Sequence, residues 1–197
     1  MMRILGIDPG LRCTGWGVIA FDGGQLQHIA NGAIQPKPKL DDAERLQIIF
    51  DGLCEVITLH QPDQAAIEQI FVAKSAGSAL RLGMARGVGI LACGVNRLGV
   101  GEISARAVKK AVAGTGTADK KQIQDMVTRL LAVTAQNADA ADALAIAIAA
   151  SNEAGTAASV GVGLGQGQMN QGQMSKGLSA AIAAALARDD ASNGDKT

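Results

Sequence analysis

Three extended segments joined by very short turns occupy the first 35 residues, and they limit the possible folds more than anything that follows. Residues 3–8 read as a strand that stops at Pro9-Gly10, and residues 14–21 read as a second. Asp22-Gly23-Gly24 is a hairpin signal, and residues 25–35 make a third strand with alternating Leu26, His28 and Ala30. Connections this short allow only antiparallel pairing, so the chain begins as a three-stranded meander. Pro36 and Pro38 then break it.

Helix and strand alternate from there. Residues 41–59 follow helical period, with Leu46, Ile49, Phe50, Leu53 and Ile57 on one stripe and the acids largely outside it. After Pro62, residues 63–68 form a short strand, and the intervening helix makes it parallel to a meander strand. Residues 75–97 read as a long helix holding Gly83, Gly87, Gly89 and Gly94, each costing up to ~1 kcal/mol against alanine. Several glycines in one helix predict close packing, against the sheet or against a second subunit. A strand over 100–103 follows, then a helix over 105–113 with Ser104 as its cap. A Gly114–Thr117 loop leads to helices over 119–131 and 138–150. The sum is an α/β fold: a mixed five-stranded sheet, three antiparallel strands and then parallel ones, flanked by helices.

Beyond residue 155 the chain turns rich in Gly, Gln, Ser and Met, a composition too poor in apolar bulk to order itself. The expected organisation is one domain over 1–154 and a flexible tail over 155–197, with a short alanine-rich helix at 178–188.

The formal net charge is zero, which conceals a segregation. Residues 1–68 hold 5 basic and 9 acidic side chains, whereas residues 69–121 hold 9 basic and 2 acidic ones, a net of +7. That middle block suits a polyanion; the plainer reading is a one-sided solvated face. Three scattered cysteines (Cys13, Cys54, Cys93) with no C-x-x-C pair argue against disulfides and zinc, and for a reducing cytoplasm. The first residues lack a basic segment followed by an apolar one, and no uncharged apolar run nears the ~18 residues of a bilayer span. A cytoplasmic protein with no membrane partner is expected.

Four carboxylates stand out by position. Asp8 and Glu68 each end an apolar strand, where a merely solubilising charge is unexpected. Asp139 and Asp142, at i and i+3, share one face at the start of an almost wholly apolar helix. Taken alone, that pair could simply complement the helix dipole. Converging with Asp8 and Glu68, the acids would repel one another without cations, and oxygen-only donors suit Mg²⁺. Two such ions about 4 Å apart can drive phosphodiester hydrolysis. His28 and His60 make no ligand cluster and read as structural.

These residues carry a family resemblance. The element order is similar to the ribonuclease H-like fold. Within it, Gly6-Ile7-Asp8-Pro9-Gly10, Thr14-Gly15-Trp16-Gly17 and Ala66-Ile67-Glu68-Gln69-Ile70-Phe71 resemble the RuvC family of bacterial Holliday-junction resolvases. So do Leu82-Gly83-Met84-Ala85-Arg86-Gly87 and Asp139-Ala140-Ala141-Asp142-Ala143-Leu144-Ala145. The resemblance spans roughly residues 2–152 and leaves the tail unmatched. It implies catalytic, metal-binding roles for Asp8, Glu68, Asp139 and Asp142, with two Mg²⁺ per active site and Mn²⁺ as a substitute. It also implies a homodimer that makes paired symmetric nicks in four-way junction DNA during recombination and repair, working with a RuvA–RuvB branch-migration complex. Lys109 and Lys120 match positions that contact DNA phosphate, and both lie in the basic block. Phe71 matches an aromatic that stacks on opened bases; its plainer role is core packing.

Rival readings remain. Asp8-x-Gly10 followed by Thr14-Gly15 also looks like the phosphate loop of actin-like and sugar-kinase ATPases, but these need two lobes, more ordered chain than a single domain of this size supplies. A junction-binding scaffold without activity is disfavoured by the four acids. A ribonuclease H-like nuclease acting on another nucleic acid differs mainly in the long glycine-bearing helix and its basic surroundings.

Overall fold

The computed structural model describes residues 1–69 and 75–160, the side chains of 154–160 excepted. Its elements run β1 (Met2–Asp8), β2 (Thr14–Asp22), β3 (Gln25–Ile34), α1 (Asp42–His60), β4 (Gln64–Glu68), α2 (Ala76–Val95), β5 (Val100–Ile103), α3 (Ala105–Ala113), α4 (Lys120–Leu131) and α5 (Ala138–Val160). The five strands form one sheet in the order β3-β2-β1-β4-β5. The meander β1–β2–β3 is antiparallel, β4 runs parallel to β1, and β5 runs parallel to β4.

The central strand shows why the sheet is covered on both faces. Ile4, Leu5 and Ile7 point alternately to opposite sides, yet all three are fully buried. Leu5, Ile7, Val18 and Ile67 pack with Ile49 and Leu53 of α1 and Ala85 and Ala92 of α2. Ile4, Ile19 and Ala66 pack with Val108, Val127 and Leu144 of α3, α4 and α5. Each of the Val, Leu and Ile side chains contributes about 1.5–3 kcal/mol by leaving water.

Local signals set the helix boundaries. Asp41 and Asp119 open α1 and α4 with capping boxes, answered by Glu44 and Gln122. Ser75 and Ser104 cap α2 and α3. Such caps are each worth about 1 kcal/mol. At the other end of α5 the helix runs to Val160, ten residues past the expected stop at Ala150. A lone Gly155 costs only ~1 kcal/mol in a helix and no proline follows it, so an alanine-rich segment continues. Residues 161–197 lie outside the described residues.

The glycines of α2 divide. A Cβ at Gly89 would meet Ile67, Ile7 and Leu53 in ordinary contact, whereas Gly83, Gly87 and Gly94 face open space. By length and mean hydropathy (1.3) α2 would suffice to cross a bilayer. Here it is a sheet-packed helix: Ala85, Gly89, Ala92 and Cys93 are buried, and Arg86 at its middle pairs with Glu102 of β5 at 2.6 Å.

Candidate active site

Strand alternation decides where the acids point. On β1, Ile4 faces α5, and so do Gly6 and Asp8 two and four residues on. On β4, Ala66 faces the same way, and so does Glu68. Because Ile7 pairs with Ile67, the two carboxylates leave adjacent strands side by side on the α5 face. The turn after Asp8 is closed by buried Thr14, whose Oγ1 accepts from the Gly10 amide (3.3 Å) and donates to the Gly10 carbonyl (2.9 Å).

Helix α5 supplies the other two acids and can come this close because both surfaces are bare. Apart from the half-buried Asp142, its residues from Ala140 to Ala150 are buried all round and mostly alanine. A methyl group at Gly6 would be driven into the Ala143 carbonyl oxygen, and one at Gly15 into the Asp139 carbonyl oxygen. The glycines of the first two strands are therefore what lets the helix lie against the sheet, with Asp139 and Asp142 above Asp8.

Asp8, Glu68 and Asp142 line one pocket of about 210 Å³ together with Lys109 of α3 and Lys120 of α4, over an apolar floor that includes Val108, Ile123 and Ile146. Asp139 is not part of the pocket wall but is near enough to act electrostatically on Asp8 and Asp142. Phe71 lies outside the described residues. Gly114, left-handed at φ 75°, ends α3 and starts the loop that separates the two lysines.

The electrostatics are those of crowded anions. Burial, then Asp142, Glu68 and Asp139 in that order, push the Asp8 carboxyl up to about 7, with Lys120 opposing. Burial also raises Glu68, reinforced by Asp142 and opposed by Lys109 and Lys120. Lys120 Nζ sits 2.6 Å from Asp142 Oδ2, and this bond holds the ammonium above its usual range. Asp142 itself is still raised, because its burial outweighs the lysine. The Lys120 ammonium thus offsets the charge of one acid of the cluster.

Among the described residues no group of three or more His, Cys, Asp and Glu side chains forms a ready-made metal cage. The donor set nevertheless suits a hard cation that keeps several of its waters, which needs only one or two carboxylates at a time. It is oxygen-only, anionic beyond what the two lysines balance, and open to solvent through the pocket.

Three contacts escaped sequence reasoning. Lys120 on Asp142 is one. Cys13 is a second: its thiol is pushed up to about 11 by burial and by a hydrogen bond with Asp139, while Gln35 Nε2 donates to its Sγ at 3.5 Å. Arg86 is the third, donating from Nε to the Glu68 carbonyl at 3.3 Å. Each joins residues at least 18 positions apart, and no local pattern announces such pairs.

A family model described as crossover junction endodeoxyribonuclease RuvC matches residues 4–150. A Caulobacter vibrioides protein of that name is 51% identical over 144 residues, covering 73% of this chain and 85% of the relative. One from Haemophilus ducreyi is 54% identical over 146 residues, covering 74% and 76%. Among solved structures, Thermus thermophilus RuvC in complex with a Holliday junction substrate is similar with a TM-score of 0.74 at 29% identity, covering 78% of this chain and 95% of that one. The yeast mitochondrial Holliday junction resolvase Ydc2, 11% identical with a TM-score of 0.56, shares the fold.

Proposed function

We infer what this chain does from one premise: it belongs to the family of crossover junction endodeoxyribonucleases, RuvC. The chain is an endodeoxyribonuclease that resolves Holliday junctions. The observation that carries the reading at the level of residues is the pocket itself, where three carboxylates with raised proton affinity meet two lysines at strand and helix ends.

The catalytic set in this proposal is Asp8, Glu68, Asp139 and Asp142, which would hold two Mg²⁺ ions, Mn²⁺ serving in their place. When bound, the ions supply the positive charge that activates water and stabilises the leaving oxygen. The chain's own contribution is position. Asp8 and Glu68 are fixed by backbone pairing on neighbouring strands, and α5 is fixed by its contact with Gly6 and Gly15. Lys109 and Lys120 flank the pocket and hold the phosphate as point charges. Phe71, three residues beyond Glu68, is assigned to base stacking at the opened crossover.

A homodimer, two sites for two opposed strands, completes the proposal. Leu80, Gly83, Gly87, Leu91 and Gly94 follow the 3–4 spacing of one helical stripe on α2. Leu80 is 66% and Leu91 55% exposed, and the glycines beside them have open space. A second copy of α2, able to approach closely over glycine, would bury this stripe. The assignment extends to a cytoplasmic setting and to the RuvA–RuvB branch-migration complex.

The experiment is incubation of a four-way junction with the full chain, with and without Mg²⁺, mapping product ends on both strands. Symmetric Mg²⁺-dependent nicks are expected. Cutting in chelator, or cuts confined to one strand, would overturn the metal assignment or the dimer respectively.

A further inference from the structure

We propose that Asn31 is a positioning residue for the start of α5, holding Asp139 and Asp142 in register with Asp8 through a latch built on a β-bulge. The proposal rests on the reading of those acids as the metal-binding set.

The latch crosses the sheet edge. Asn31 Oδ1 accepts from the backbone amide of Gln136 at 2.8 Å, joining residues 105 positions apart. The next residue, Asn137, caps α5: its Oδ1 accepts from the Ala140 amide at 2.8 Å, and its carbonyl accepts from Ala141 at 3.0 Å. Asp139 is two residues further on. From the opposite side, the Asp139 carbonyl rests on bare Gly15, which pairs with Ala33 of β3. The first turn of α5 is therefore held between β2, which it touches, and β3, which tethers it.

A regular strand could not make this tether with His28 as its support. Residues three apart point to opposite faces of a strand. The pairing of β2 with β3 shifts between Val18 and Ile19, so that Val18 faces Ala30 and Ile19 faces His28, leaving Ile29 as the extra residue. Packing shows the change of phase. Leu26 lies with the α5 cluster, whereas Ile34, also even-numbered, lies with the α1 cluster. The bulge thus turns His28 and Asn31 to the same face, and Asn31 Nδ2 lies 2.8 Å from His28 Nε2.

The amide can have only one orientation. The Gln136 N–H needs an acceptor, so the oxygen of Asn31 must face it. Its nitrogen, a donor only, then faces His28 and requires Nε2 to accept, with the ring proton on Nδ1. Burial, which lowers the proton affinity of His28, favours that neutral ring. His28 therefore supports Asn31 rather than acting on the site.

The test uses the full chain with Asn31→Ala, His28→Leu and His28→Gln. In metal-free protein, Asn31→Ala should speed amide hydrogen exchange over 136–141 while exchange over 144–150 stays at the wild-type rate. The Mg²⁺ concentration giving half-maximal cleavage should rise by about 10-fold or more, the scale of losing a group that orients a metal ligand. Junction affinity in chelator should remain within about twofold, since no phosphate-facing lysine changes. His28→Leu should give a smaller shift in the same direction, and His28→Gln, which keeps an acceptor, should restore wild-type behaviour. An unchanged Mg²⁺ requirement with unchanged exchange in both Asn31→Ala and His28→Leu overturns the proposal. So does a uniform loss of protection across α5 and the sheet, which marks a merely structural role. Asp139→Asn and Asp142→Asn separate this from its premise. If they still cut normally, the metal-site reading fails; if they are inactive while Asn31→Ala behaves as wild type, only the latch fails.

Discussion

Replacing Asp8 by asparagine should inactivate the enzyme and, in chelator at pH 8, make the fold more stable. The carboxyl of Asp8 is pushed up to about 7 from an ordinary 3.8, first by burial and then by Asp142, Glu68 and Asp139. Below about pH 4 the group is protonated in both folded and unfolded chains and adds no pH dependence. Between about 4 and 7 the unfolded chain has released the proton and the folded one keeps it. The unfolded state then binds fewer protons, so stability falls as pH rises. Above 7 the full penalty applies, about 3 pKa units or about 4 kcal/mol. Asparagine has the same shape and no charge, and so escapes it.

For a chain of this size about 1 kcal/mol moves Tm by roughly 2–4 °C, so about 4 kcal/mol corresponds to roughly 8–16 °C. The opposing Lys120 is already part of that shift, and reorganisation around the ionised carboxylate places the expected reading at the lower end of the range. Thermal melts of both proteins in EDTA at pH 8 and pH 5 give the answer directly, with junction cleavage in Mg²⁺ measured alongside. The difference should be large at pH 8 and shrink at pH 5, where wild-type Asp8 is already protonated. Added Mg²⁺ should raise the wild-type Tm far more than that of the variant. A variant that melts at or below wild type in EDTA at pH 8, or a gap independent of pH, would refute the account of a strained acid cluster. Retained cleavage would refute the role of Asp8.

Three other perturbations address separate parts of the reasoning. Gly15→Ala drives a methyl into the Asp139 carbonyl and should cost about 1–3 kcal/mol by overpacking, read as a lower denaturant midpoint together with lost cleavage. Lys120→Met frees Asp142 from its 2.6 Å partner, so a Mg²⁺ titration followed by thermal shift should show tighter binding while cleavage at saturating metal slows by about 10²-fold; unchanged metal affinity would mean the ammonium does not compete. Leu91→Glu, at a 55% exposed position on α2, should shift the protein to monomer in sedimentation equilibrium without lowering the monomer's thermal stability, and a dimer that persists would place the interface elsewhere.

How far sequence reaches is set by how local each cause is. Turn length alone made β1–β2–β3 antiparallel, and Ser104 and Asp119 set the starts of α3 and α4 with no help from tertiary structure. Period-2 alternation likewise ties Asp8 to the face of Ile4 and Glu68 to that of Ala66 before any helix is placed. The convergence of Asp8, Glu68 and Asp142 was legible because the first two end apolar strands and the third stands near the start of an apolar helix, and such termini gather at one edge of a sheet with parallel strands. What stayed hidden depends on pairs distant in the chain. Lys120 was read as facing DNA phosphate, and its bond to Asp142, 22 positions away, has no local signal. His28 read as an ordinary alternating strand residue, since nothing in residues 25–34 marks Ile29 as the one left over. The register shift arises in how β3 pairs with β2, and only that pairing brings His28 and Asn31 together to hold α5. In this fold, then, the strand and helix ends name the acids, and a one-residue irregularity on the outermost strand sets where two of them sit.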